Sequence, residues 1–193
     1  MTEETKTKGI IVVISGPSGV GKSTICKGAM KRLKNVYLSV SVTSRPKSET
    51  EIDGKDYWFV TEEEFKERIN NGLFLEYAEV FGNYYGTPLD KTEESLQAGK
   101  TVILEIDVEG GQHVKQIYPD TLMIFVLPPT QGDLAERITN RGREKAEAAE
   151  ERLDGASNEI AAAWQHYEHL VINDDLKQAI NEVVKIIEPS IGE

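Results

Sequence analysis

Residues 16–23 read Gly16, Pro17, Ser18, Gly19, Val20, Gly21, Lys22 and Ser23, with Thr24 next in line. They satisfy G-x-x-x-x-G-K-[ST], a pattern that binds nucleoside triphosphates for a physical reason. Glycines let successive backbone N–H groups turn inward around phosphate oxygens. The helix that begins there adds the positive end of its dipole. A lysine in the position of Lys22 reaches the β- and γ-phosphates, and a hydroxyl in the position of Ser23 faces Mg²⁺. The loop sits where this chemistry needs it, after the β-branched run IIVVI and before a helical pattern. A glycine turn that merely joins strand to helix is the competing reading. The motif names the ligand class, a nucleoside triphosphate such as ATP with Mg²⁺, and leaves the reaction open.

Other residues suggest a second phosphate site. Arg45 stands at the lip of a polar loop, VTSRPKSETEIDGKDYWF, and its planar fork suits bidentate phosphate binding. Tyr57 and Tyr85 could add phenolic hydroxyls; aromatic packing in a small sheet explains them equally well. Arg137 and Arg141 lie one helical turn apart, and Arg152 follows in the next helix. Such arginines either gather on phosphate oxygens or pair with nearby Glu144, Glu147 and Glu151. The strand VILEID ends in Glu105 and Asp107, where a carboxylate can stand near a metal. Cys26 reads as a small helix-face residue, and His113, His166 and His169 show no metal-ligand spacing.

The elements that must hold these residues follow from periodicity. IIVVI, VILEI and LMIFVL are apolar runs of the kind buried on both faces of a parallel sheet. A helix is expected over 22–34. VYLSVSV reads as one further strand. TEEEFKERINNG is a short helix in which Thr61 and Glu64 form a capping box and Gly72 provides the stop. LFLEYAEVFGNYYG reads as strand, turn, strand. A helix is expected near 111–117, and another over TQGDLAERITNRG, ending at Gly142. A long helix follows, with Leu153, Ala156, Ile160, Trp164 and Tyr167 on one stripe. VIND is a last strand and LKQAINEVVKII a closing amphipathic helix. Strands alternate with helices at both ends, so the fold class is α/β with a parallel core.

The chain has 193 residues, enough for one core and a small insertion. Its formal charge of −11 repels polyanions, which argues against nonspecific nucleic-acid or membrane binding. One cysteine cannot form an internal disulfide, which suits a reducing cytoplasm. No apolar run is long enough to span a bilayer. The polar start, MTEETKTKG, does not read as a secretory signal, and no obligatory protein partner is evident.

Taken together, GPSGVGKST, SVSVTSRP, DGKDYWFV, FLEYAEVFGNYYGTP, RITNRG and VINDD resemble, in order and spacing, the guanylate kinase family of P-loop nucleoside monophosphate kinases. The resemblance spans about residues 9–188. It implies a P-loop core (9–38, 89–136 and 153–193), a small β-rich GMP-binding insertion (39–88) and a mobile helical lid (137–152). It implies transfer of the γ-phosphoryl of ATP to GMP, with Mg²⁺. Matched motif by motif, Arg45, Tyr57 and Tyr85 would hold the GMP phosphate. Ser41, Glu76, Thr87 and Asp107 would read the guanine. Lys22, Arg137, Arg141 and Arg152 would act on the transferred group. Asn173 would lie near the adenine of ATP, a helix cap being the other reading.

Base chemistry agrees with Glu76 in that role. Guanine offers N1–H and N2–H₂ donors side by side, and one carboxylate accepts from both. Hydroxyls of Ser41 and Thr87 could donate to O6. Adenine would leave the carboxylate facing a lone pair.

The chain also departs from the family pattern. Ser48 stands where a second loop arginine is usual, with Lys47 beside it and Thr50 in place of glycine. Glu105 stands where aspartate is more common. Two other functions compete: a kinase of a different nucleoside monophosphate, and a non-catalytic module of the same fold. Retention of Lys22 and Ser23 argues against the second.

Overall fold

The computed structural model describes residues 9–80, 82–130, 132–134 and 146–191, the side chains of 146–154 excepted. Five parallel strands form the main sheet in the order β2-β7-β1-β8-β9. They are β1 (Ile11–Ser15), β2 (Val36–Leu38), β7 (Thr101–Glu105), β8 (Leu122–Leu127) and β9 (His169–Ile172). β1, in the centre, is buried throughout, so both of its faces carry β-branched residues. Val12 and Ile14 pack with Ile25, Ala29, Val183 and Ile187 from α1 (Lys22–Met30) and α6 (Leu176–Ile187). Ile11 and Val13 face the other core, with Leu96 from α3 (Leu89–Gln97), Val114 from α4 (Val108–Ile117) and Ala163 from α5 (Ala146–His166).

A second sheet, β4-β3-β6-β5, is built from β3 (Val42–Thr43), β4 (Trp58–Phe59), β5 (Phe74–Val80) and β6 (Asn83–Pro88). β5, β6 and β3 pair antiparallel, while β3 and β4 run parallel. The expected single strand VYLSVSV is two strands in two sheets. Val36–Leu38 pairs with β7, and Val42–Thr43 pairs with β4 and β6. The intervening serines carry the chain from one sheet to the other. An apolar alternation alone cannot reveal such a transfer.

Helix ends are set by side chains. Thr61 and Glu64 close the expected capping box at the start of α2 (Glu62–Asn70), and Gly72 follows in the left-handed region at φ 65°. Asp107 caps α4 by accepting from Gly110 N at 2.9 Å. α4 therefore begins earlier than the expected 111–117. α1 stops at Met30 rather than at 34. The sequence reading placed no element between Thr87 and Thr101, yet α3 lies there. Its pattern is mostly polar, and two of its three buried positions are hydroxylated: Thr92 and Ser95, beside Leu96.

α5 carries a stripe of Ala156, Ile160, Ala163 and, just beyond it, Tyr167. Trp164, expected on that stripe, is 68% exposed, because a position next to Ala163 is rotated off the inward face. The helix expected over TQGDLAERITNRG lies outside the described residues beyond 134.

This topology builds a crevice. From β1 the chain crosses one face of the sheet through α1 to β2. From β7, the neighbour of β1, it crosses the other face through α4 to β8. The carboxyl ends of β1 and β7 thus flank a switch point, the place where open α/β sheets bind ligands.

Candidate active site

The loop after β1 is held by steric fit. Gly16 and Gly21 have φ of 148° and 104°, conformations that other residues rarely adopt. A Cβ on Gly16 would lie 2.4 Å from Val126 O, and one on Gly21 would lie 2.6 Å from Asn173 Nδ2. Lys22 Nζ donates to the loop's own carbonyls, to Gly16 O and, at 3.2 Å, to Pro17 O. Buried Asn173 donates from Nδ2 to Val20 O at 2.7 Å and so ties the end of β9 to the loop. Asp175, not Asn173, caps the following helix, accepting from Gln178 N at 2.8 Å.

Ser23 Oγ donates to Glu105 Oε1 at 2.6 Å. A hydroxyl and a carboxylate, both hard oxygen ligands, therefore meet beside the phosphate loop. Ser15 Oγ, fully buried, accepts from Tyr167 OH at 2.7 Å and donates to Asp107 O at 3.2 Å. That chain of bonds fixes the carboxyl ends of β1 and β7 against the last turn of α5.

The second sheet presents Glu76 to the same crevice by a bulge. Pairing runs Phe74↔Pro88 and then Glu76↔Thr87, so β5 advances two residues while β6 advances one. Leu75 and Glu76 are consequently both buried although they are adjacent. Glu76, 3% exposed, accepts from Thr87 Oγ1 at 2.5 Å. The hydroxyl has one proton and gives it to the carboxylate. Thr87 thus orients Glu76, and its expected donation to guanine O6 has no proton in this arrangement. Burial pushes the Glu76 carboxyl up to about 7; the Thr87 bond opposes this and the Asp107 charge adds to it. Gly110, which the sequence reading passed over, allows this approach: a Cβ there would lie 2.6 Å from Glu76 Oε2.

Arg45 is already gripped. Its guanidinium donates to Glu51 at 2.7 Å (Nη2 to Oε1) and 3.1 Å (Nη1 to Oε2), and from Nη1 to Pro46 O at 2.9 Å. It also lies over the rings of Tyr57 and Phe59, 5.5 and 5.7 Å from their centroids. Ser48 gives Glu51 two further bonds, from N at 2.9 Å and from Oγ at 2.7 Å. These donors, Arg45 first, hold the Glu51 carboxyl at about 2, well below the usual range. Lys47 Nζ donates to Glu51 O at 3.0 Å and stitches the exposed side of the loop. Sequence reading missed Glu51 as the hub. The signal was there, a carboxylate six residues after the arginine in a loop with few other anchors.

A cleft of about 250 Å³ joins these parts. Gly16, Ser18, Gly19, Gly21, Lys22, Ser23 and Thr24 line one side; Ser41, Tyr57, Glu76 and Tyr85 line the other; Glu105 and Asp107 lie between them. Tyr57 and Tyr85 meet edge to face, with centroids 5.9 Å apart, and burial pushes the Tyr57 hydroxyl up from its ordinary range. Glu159, which the sequence reading did not single out, also lines the cleft. Arg137 and Arg141 lie outside the described residues. Arg152 falls within α5, and its side chain is outside them too.

The cleft thus sets a triphosphate-type loop, a buried carboxylate, a pair of tyrosines and further acidic groups around one space, with Arg45 packed on the Tyr57 ring. Comparisons with known proteins agree with that arrangement. The sequence pattern of the guanylate kinase family matches residues 8–190. A guanylate kinase of Carboxydothermus hydrogenoformans is 45% identical over 181 residues, 93% of this chain and 88% of that protein. One from Clostridium acetobutylicum is 46% identical, over 93% of this chain and 85% of its own length. The crystal structure of guanylate kinase from Anaplasma phagocytophilum superposes with a TM-score of 0.82 at 32% identity, covering 97% of this chain and 89% of that one. The chain belongs to the guanylate kinase family.

Proposed function

We propose that this chain is an ATP:GMP phosphotransferase that moves the γ-phosphoryl of ATP to GMP and gives ADP and GDP. The observation that carries this reading is the bulge-directed Glu76, buried and oriented by Thr87, across one cleft from the phosphate loop. Its two oxygens match the N1–H and N2–H₂ donors of guanine. An adenine, with a lone pair at N1, would leave a desolvated carboxylate unanswered.

In the transfer, an oxygen of the GMP phosphate attacks the γ-phosphorus as the bond to the β–γ bridging oxygen breaks. The protein supplies alignment and positive charge more than covalent chemistry. Residues 16–24 cradle the ATP phosphates, and Lys22 exchanges its carbonyl acceptors for phosphate oxygens. Asn173 holds the loop against β9 at the edge where the adenine lies. Tyr57 and Tyr85 meet the GMP phosphate with Arg45, whose fork is shared with Glu51. Ser41 and Asp107 complete the base pocket. Arg137, Arg141 and Arg152 close over the transferring group.

The oxygens of Ser23 and Glu105 fit a Mg²⁺ ion, which takes one or two protein oxygens, waters and substrate phosphates. These residues would hold it, and when bound it would supply charge to the phosphate oxygens. Glu105, one methylene longer than aspartate, reaches the Ser23 hydroxyl directly. In this reading 39–88 form the GMP-binding insertion, 137–152 the lid and the remainder the core. Among the described residues no helix is long and apolar enough to cross a membrane. The buried single thiol of Cys26 suits a cytoplasmic location.

Coupled ADP release, measured with GMP, AMP, dTMP, CMP and UMP in turn, tests the reading. GMP is expected to exceed every other acceptor by orders of magnitude in kcat/KM. Comparable or greater turnover with another monophosphate would overturn the assignment.

A further inference from the structure

The β1–β7 ladder ends at the pair Ile14↔Glu105, at the mouth of the cleft. Just beyond that pair a side chain joins the two strands. Ser15 Oγ donates to Asp107 O at 3.2 Å and accepts from Tyr167 OH at 2.7 Å. The serine hydroxyl has one proton, and the tyrosine bond on its oxygen settles where that proton points. Ser15 and Tyr167 are both buried, where an unmade bond is costly. Tyr167 is itself held. Its N–H donates to Ala163 O at 3.0 Å, and its ring meets Phe125 edge to face with centroids 5.3 Å apart.

Each end of this line leads to one half of the cleft. Ser15 is followed directly by Gly16, the first residue of the phosphate loop. Asp107 O also accepts from Gly111 N at 3.0 Å, in the first turn of α4. A Cβ on Gly111 would lie 2.6 Å from Tyr167 OH, and one on Gly110 would lie 2.6 Å from Glu76 Oε2. The first turn of α4 is thus in close fit with the tyrosine hydroxyl at one glycine and with the Glu76 carboxylate at the next. Both halves of the cleft are referenced to one hydroxyl. Neither half needs it for its own shape, because glycines and Asn173 form the loop and Thr87 orients Glu76. What the hydroxyl sets is the distance between them.

We propose that Tyr167 is a positioning residue for phosphoryl transfer: its hydroxyl, acting through Ser15 and the first turn of α4, sets the spacing between the bound triphosphate and the acceptor monophosphate. The proposal rests on the reading of this cleft as the ATP and GMP sites. In-line transfer depends steeply on that spacing, and a misplacement of about 1 Å can cost about 10²-fold in rate. Binding of each substrate, made within its own half, depends on it little.

Steady-state and single-turnover kinetics with ATP and GMP would compare the parent with Tyr167→Phe, Ser15→Ala and the double variant, well below the melting temperature of each. Tyr167→Phe keeps the ring against Phe125 and loses only the bond. Its kcat and single-turnover rate are expected to fall about tenfold, with the KM for each substrate within about twofold of the parent's. Ser15→Ala cuts the same line while leaving the tyrosine in place, and should lose a similar factor; it carries the measurement alone if Tyr167→Phe fails to fold. The double variant should be no slower than the slower single one, because both changes break one line. Three results would overturn the proposal: a melting temperature that falls while both rates hold, a loss confined to KM, or losses that add in the double variant. The first would leave the bond with a purely structural role. A parent that phosphorylates no GMP would overturn the functional reading, and this proposal with it.

Discussion

The two loops proposed to bind phosphate are built on different principles. The loop after β1 is fixed by backbone shape: two glycines in conformations closed to other residues, Val126 and Asn173 pressed against them, and a buried strand behind. The loop between β3 and β4 is fixed by charge. Glu51 collects Arg45, the Ser48 amide and the Ser48 hydroxyl, all from that one loop. Shape is insensitive to salt and pH, whereas a charge hub is not. The difference teaches where each loop can vary. A change in the first should act all or none, and changes in the second should be graded.

The sharpest break is Lys22→Ala. Gly16 and Gly21, with Val126 and Asn173 against them, shape the loop beside the two Lys22 bonds to its carbonyls, so the fold should persist while the charge on the transferring oxygens is lost. kcat is expected to fall by about 10²–10³ or more, the range for deleting one preorganised donor. Circular dichroism and the melting temperature should stay close to the parent's. A variant retaining a tenth of the parent rate would show that the first loop is as graded as the second.

Glu76→Gln probes the sheet that faces this loop. The amide keeps the shape and loses the paired acceptor, so kcat/KM for GMP should fall at least tenfold, or about 1.4 kcal/mol. A pH signature accompanies it. The folded carboxyl titrates at about 7, raised by burial. The unfolded one titrates near 4.5, the usual value for glutamate. The group therefore contributes no penalty below pH 4.5, one that grows as pH rises from 4.5 to about 7, and a constant one above that, on the order of 3 kcal/mol. Relative to the parent, Glu76→Gln should melt at a higher temperature at pH 8 than at pH 5. Guanine donors need the ionised form, so the parent's KM for GMP should drop as pH rises through 7, and this dependence should vanish in the variant. A pH-independent difference in melting would contradict the raised carboxyl.

The same division governs what sequence alone could tell. The phosphate loop was legible residue by residue, because its function requires particular residue types at fixed spacing. The buried strands were legible from β-branched runs, and α2 from its capping box. What escaped depended on contacts remote in the chain. The β5 bulge that buries Leu75 and Glu76 together breaks the alternation that sequence reading relies on. Gly110 matters only because Glu76 comes to rest against it. α3 escaped because its buried positions are Thr92, Ser95 and Leu96, which leave little apolar rhythm. Asn173 was ambiguous between cap and site, and Asp175 turned out to hold the cap.

Ser48→Arg sharpens the contrast from the other side. Ser48 now gives its hydroxyl to Glu51. An arginine there would replace that donor with a charged fork, and Glu51 could be shared between two guanidinium groups. Part of the Arg45 fork would then be free for the monophosphate. The KM for GMP should fall by about three- to tenfold, with kcat little changed, since a charge-assisted bond is worth about 1.5–3 kcal/mol before desolvation. Lys47→Ala should leave the KM near the parent's, because Lys47 is spent on loop carbonyls. Isothermal titration with GMP checks both. No gain in Ser48→Arg would mean that Glu51 does not limit Arg45.

The smallest effect is expected where the two regions touch. Lys27, on the helix that leaves the phosphate loop, donates to Asp56 Oδ1 at 2.7 Å, and Asp56 Oδ2 accepts from Ile52 N at 2.9 Å. The pair bridges the shape-built region and the charge-built one. Lys27 is about half exposed, at 51%, so solvent screens the interaction and the pair is weak on its own. Its leverage is geometric: it holds the 50–57 loop, and with it the Arg45–Tyr57 cluster, toward the α1 side of the cleft. Lys27→Met should therefore raise the KM for GMP by less than about threefold, leave the KM for ATP unchanged and lose its effect in about 0.5 M salt. Asp56→Asn should do slightly more, because it also weakens the bond to Ile52 N within the loop. The double variant should be no worse than Asp56→Asn alone, since both changes remove one shared contact. Additive losses would mean that the residues act separately, and an effect of tenfold or more would mean that the charge-built loop cannot hold its shape without the helix beside it.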